Sequence, residues 1–192
     1  MLKALKSKKA MSLVEVVVAM AISVILLTSV VYIFTLGLNI YNKASQTYDA
    51  HTLTLFTQQK IEAEVSYAGS MQIDGAEPSA FAGSNNECLY VSNGRLADAV
   101  PNGAGGLKDQ YVYLSGAYTG LNCSIKYNLS SSMVLDVTIA VYKGSVTNVL
   151  YTTHTDIMIN NLDPGLGVQG IVDTTGGAGG AAVEFTIPSV SS

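Results

Sequence analysis

The sequence predicts an α+β protein: a long N-terminal α-helix, transmembrane in its first half, packed by its second half on a C-terminal antiparallel β-sheet domain. Three observations carry this. An uncharged apolar block runs from Val16 to Asn42, a stripe of apolar residues continues beyond it, and from Ser70 the chain breaks into short β-rich runs separated by turn residues. The length of 192 residues suits one domain with an appendage. Only 12% of residues are charged, about half the globular average, as expected when a large apolar block dilutes the rest.

The chain opens with residues 1–10, a basic leader carrying Lys3, Lys6, Lys8 and Lys9 and no acid. From Met11 onward there are six basic and fourteen acidic side chains. That balance excludes a basic footprint for polyanions on the main body, so no direct nucleic acid binding is expected. Four lysines before the apolar block and Lys43 alone just after it orient the N-terminus to the cytoplasm and place the C-terminal domain outside.

Residues 11–68 follow as one helical element. The 23 residues from Val16 to Leu38 make a helix of roughly 34 Å, enough to cross a hydrocarbon core of about 30 Å. Eleven of them are β-branched, which in water favours strand. In lipid a single segment must satisfy its own backbone hydrogen bonds, so helix prevails. Ser23, Thr28, Ser29 and Thr35 are expected to bond back to carbonyls one turn earlier. The run exceeds the apolar core of about 7 to 15 residues of an ordinary signal peptide. Glu15 stands at its start, where a carboxylate at membrane depth costs on the order of a few kcal/mol unless paired or at the interface. Interfacial placement aided by the helix dipole, and a specific partner, both account for it.

Beyond the block, Tyr41, Ala44, Tyr48, Thr52, Leu55 and Ala63 recur at helical spacing and are expected to form the buried stripe. Gly69 is a natural stop, so the helix is expected from Ser12 to Ala68, roughly 85 Å.

Residues 69–192 form the exported β-rich domain. Leu89, Val91 and Leu96 flank Asn93-Gly94, a strong hairpin signal. A loop is expected at Asn102–Gly106, then strands at Tyr111–Leu114, Cys123–Leu129 and Met133–Tyr142, the last alternating Leu135, Val137, Ile139 and Val141 with Asp136, Thr138 and Ala140. Lys143-Gly144-Ser145 turns the chain into a strand near Val149–Ile159, and a short strand is expected at Val183–Ile187. One antiparallel sheet covering the helix stripe is the expected outcome, with the Gly-, Thr- and Ser-rich tail from Gly165 at the surface or sheet edge.

The junction Lys8-Lys9-Ala10-Met11-Ser12-Leu13-Val14-Glu15 resembles the processing site of type IV prepilins and type II secretion pseudopilins. Those families combine a basic leader, a small residue before the cut, an apolar residue after it, a glutamate at the fifth mature position and a long apolar helix. The resemblance is specific over residues 1–45 and architectural beyond. It implies leader cleavage between Ala10 and Met11, N-methylation of Met11, and a role in assembly for Glu15. Its implied partners are a prepilin peptidase and methylase, identical or homologous pilin subunits, the membrane and an assembly platform. It also implies location in the cytoplasmic membrane before assembly and in a surface filament afterwards. A minor pilin, a secretion or competence pseudopilin, and a non-polymerising anchored ectodomain are the alternatives. Ala10 stands where the family prefers Gly and Met11 where it often has Phe, and the apolar run lacks the proline many major pilins carry.

No catalytic, cofactor-binding or metal-binding residue is expected. Gly165-Leu-Gly-Val-Gln-Gly170 matches G-x-G-x-x-G but follows Asp163-Pro164 and leads into another turn-rich run, not a helix. His51 and His154 have no second ligand at a metal spacing such as H-x-x-x-H or H-E-x-x-H and are expected to be surface or packing residues. Asp156, Asp163 and Asp173 miss the calcium-loop pattern. Cys88 and Cys123 both fall in the exported part, where oxidising surroundings allow a bridge; a disulfide and two separate thiols are both open.

Overall fold

A computed structural model describes residues 12–75, 86–101, 107–113, 115–118, 120–160 and 171–186. The chain divides into two compact units, one up to Ser45 and one from Gln46 onward. Helix α1, Leu13–Val65, belongs in part to each. In the first unit it is exposed on every side, as an apolar segment without its lipid or protein surroundings must be.

In the second unit α1 buries Ala50, Leu53, Thr54, Thr57, Ile61 and Val65. This corrects the expected stripe: Tyr48, Leu55 and Ala63 are exposed and Thr52 is only half-buried, while Tyr41 and Ala44, in the first unit, are also exposed. The buried face is narrow and small at one end, where Ala and Thr let the helix lie close to its cover, and branched at the other, where Ile61 and Val65 enter the main core. Thr54 suits this face because its hydroxyl donates to the Ala50 carbonyl at 2.8 Å. The helix ends before the expected Ala68: Ser66 and Tyr67 form a turn, and the Gly69 N–H already donates to the Thr186 carbonyl at 2.8 Å. Gly69 therefore opens the sheet.

Strands follow as β1 Ser70–Asp74, β2 Asn86–Ser92, β3 Arg95–Pro101, β4 Leu107–Tyr111, a single turn α2 Ser115–Tyr118, then β5 Leu121–Ser131, β6 Val134–Lys143, β7 Val149–Met158, β8 Ile171–Asp173 and β9 Ala182–Thr186. They make two sheets rather than the single one expected: β4-β3-β2-β9-β1-β8 and β5-β6-β7. Among the described residues all strand pairs are antiparallel except β1 with β8. The expected strand at Tyr111–Leu114 is displaced, since Tyr111 closes β4 and Leu114 lies outside the described residues, as do Asn102–Gly106 and Ile187. Nor is β9 an edge: it lies between β2 and β1.

Both sheets contribute to one core. Leu135, Val137 and Ile139 of β6 are fully buried at alternate positions, and they share a cluster with Ile61, Leu89 and Phe185. Tyr127 and Gly180 exchange backbone hydrogen bonds of 2.8 and 2.9 Å, which ties β5 to the segment leading into β9.

The β2–β3 hairpin turns through Asn93 at φ 50° and Gly94 at φ 72°, the paired left-handed conformation that suits the twist of two strands. Its Gly94 carbonyl accepts the Cys123 N–H at 2.8 Å, so the turn is anchored to β5. A Cβ on Gly94 would also run into the Asn122 side chain. Gly94→Ala is expected to destabilise the domain by about 1–3 kcal/mol, read as a lower urea midpoint at unchanged slope.

Candidate functional site

Ser12 begins α1: its carbonyl accepts the N–H of Glu15 at 2.9 Å and of Val16 at 3.2 Å. Glu15 thus sits in the first turn, beside N–H groups with no intrahelical partner and at the positive end of the helix dipole. Ala10 and Met11 lie outside the described residues. After Glu15 comes a helical segment long and apolar enough to cross a membrane, none of whose most apolar window is buried.

Its hydroxyls are turned inward. Ser23 donates to the Ala19 carbonyl at 2.8 Å, Thr28 to Val24 and Ile25 at 3.0 and 2.8 Å, Ser29 to Ile25 at 2.8 Å and Thr35 to Tyr32 at 2.9 Å. These four hydroxyls are satisfied by their own helix, so, the exposed Tyr32 apart, the surface from Val16 to Leu38 is hydrocarbon. A patch of this size is covered in its working state, by lipid or by other helices.

The model of the prokaryotic N-terminal methylation motif matches residues 5–31, which include the Ala10–Met11 junction, Glu15 and the start of the apolar run. The N-terminal segment therefore carries a prokaryotic N-terminal methylation motif. The fold of the chain is similar to that of the D319A mutant of the PilB minor pilin from Streptococcus sanguinis, with a TM-score of 0.51 at 9% identity over 70% of this chain. The likeness spans 33% of that structure and is one of fold. No curated protein matches this chain.

Elsewhere the structure brings together residues that sequence spacing left apart. Cys88 on β2 packs with Tyr90, Ala97, Ala99 and Ala182, whereas Cys123 on β5 packs with Leu53, Tyr118, Leu121 and Val141. Both are free, fully buried thiols in different sheets. The wholly buried Tyr127 hydroxyl feels both thiols electrostatically. Burial pushes the Cys123 thiol up to about 12, and it raises Cys88 further, with Glu184 adding to the rise. Thiolate, the reactive form, is thereby suppressed at both. Iodoacetamide is expected to spare the native protein and to modify two thiols after unfolding without reductant. Recovery of none after unfolding would instead reveal a bridge.

His51 stacks edge-on against Tyr151, with ring centroids 4.7 Å apart. His154 lies on β7 beside Asp136 and Asp156, a juxtaposition the sequence reading missed because it crosses two strands. Its only linear trace is His154-x-Asp156, the spacing that puts two side chains on one face of a strand. Asp173 is occupied in capping its own turn, accepting from Thr175 N at 2.8 Å, Thr175 Oγ1 at 2.6 Å and Gly177 N at 3.0 Å. These bonds, the Thr175 hydroxyl foremost, lower its carboxyl below the usual range. Asp163 and the Gly165–Gly170 run lie outside the described residues.

One lysine also serves several acids. Lys60 pairs with Glu64 one turn along α1 and acts electrostatically on Glu87 and Asp98. Burial nevertheless raises both Glu87 and Asp98, and Asp98 raises Glu87 further. A carboxyl raised on folding binds its proton more tightly in the native state, so its stabilising effect is present at low pH and is lost as pH climbs through and above the usual carboxylate range. Asp98→Asn stays uncharged throughout. Its stability relative to the parent is expected to improve between about pH 4 and about pH 7, read from paired urea midpoints.

Proposed function

We propose that this chain is a structural subunit of a type IV pilus or related surface filament, processed between Ala10 and Met11 and N-methylated at Met11. The supporting observation is the ordered set at the N-terminus: basic leader, small-to-apolar junction, Glu15 in the first helical turn, and a helix whose surface is hydrocarbon. The N-terminus faces the cytoplasm in the precursor and the β domain lies outside, in keeping with the lysine bias. The role is assembly, not catalysis: sister helices replace lipid around α1 while the β domains form the surface. Likeness to a minor pilin favours the second reading, a minor pilin or pseudopilin present in few copies; subunit abundance in purified fibres separates the two.

Glu15 sets the register in this reading. Cleavage creates an α-amino group at Met11, with a reference pKa of about 7.7 to 8.0, and methylation leaves it basic. That cation and a carboxylate of a neighbouring subunit are each costly in a low-dielectric fibre core, and they compensate each other at one axial offset between helices. Glu15→Val is expected to leave insertion and processing intact, with the mature mass starting at N-methylated Met11, while filament incorporation falls at least about tenfold. A purely interfacial glutamate contributes only about 0.3 to 1 kcal/mol through the dipole, so wild-type levels of the variant in sheared fibres refute the pairing.

A further inference from the structure

The outward face of the three-stranded sheet carries a cluster outside the assembly segment. Asp136 on β6 stands directly opposite Asp156 on β7, and His154, two residues before Asp156, shares that face. One ligand atom from each of the three lies within 4.8 Å of the others. Two like charges directly opposite in an antiparallel pair repel, so the fold sustains an unfavourable contact here.

The surroundings relieve it only in part. Asn128 on β5 donates to Asp136 Oδ2 at 3.3 Å. Asp136 Oδ1, in contrast, is enclosed and accepts no hydrogen bond among the described residues. His154 Nδ1 comes within 3.1 Å of it, near enough for an ion pair but not aligned as a donor, and lies 3.2 Å from Thr138 Oγ1. With the imidazole neutral, an enclosed carboxylate oxygen without a hydrogen-bond donor stands beside a second carboxylate with no positive charge to balance the two.

We infer that Asp136, His154 and Asp156 form a binding site for a first-row divalent cation of the zinc class. Imidazole with carboxylates is a donor set for such ions, with bonds of about 2.0–2.2 Å. Ligand atoms on a tetrahedral zinc of those bond lengths are about 3.4 Å apart, so closing the triad takes a shift of about 1 Å. His154 and Asp156 are exposed and free to make it. The cation cancels the Asp136–Asp156 repulsion and satisfies Asp136 Oδ1. Three protein ligands leave a further coordination position facing solvent, open to water.

The untagged full chain in detergent micelles, titrated with zinc chloride by calorimetry, is expected to bind one equivalent. Asp156→Asn and His154→Gln, both at exposed positions, should weaken that binding by at least about tenfold, whereas His51→Gln should leave it unchanged. Circular dichroism checks that each variant keeps the parent fold. No saturable zinc binding by the parent, or undiminished binding in both folded site variants, overturns the assignment; calcium bound in preference to zinc does so as well.

Discussion

Everything in this chain depends on where the backbone of α1 finds its hydrogen bonds. A stretch with eleven β-branched residues in 23 is poor helix material in water. Surrounded by hydrocarbon it has no other way to pair its N–H and C=O groups within one segment, and its serine and threonine hydroxyls join the same internal network. Environment therefore overrides propensity in the first unit. From Gln46 onward the same helix answers to a different rule, burial of one narrow face against sheets.

That change of rule explains where sequence reasoning succeeded. Turn chemistry is local, so Asn93-Gly94 announced its hairpin, and strict alternation from Leu135 to Val141 announced a half-buried strand. The helix stripe differs in register: the buried face runs through Ala50, Leu53, Thr54, Thr57, Ile61 and Val65, beside the expected positions rather than on them. Tyr48 and Leu55 point outward, and the buried positions include Ala50, Thr54 and Thr57, whose value is small size and close approach rather than hydrophobicity.

What remained illegible is non-local. The three-residue strand β8 is too short to show a period, and its parallel pairing with β1 joins residues about a hundred positions apart. Two sheets cannot be told from one by alternation, since each strand alternates in either case. The Asp136, His154 and Asp156 cluster likewise exists only once β6 and β7 are in register. The N-terminal segment was readable because its features are contiguous, and the methylation motif spans that same stretch.

The position of β9 has a consequence for delivery. Residues 182–186 are the seam between β1, which follows the helix directly, and β2. In a chain passed across a membrane from its N-terminal side, the six-stranded sheet cannot close until this late segment emerges. Until then β1 and β2 stay unjoined, because the strand that links them lies about a hundred residues further along the chain. Such vectorial ordering makes closure of this sheet a late event in its folding.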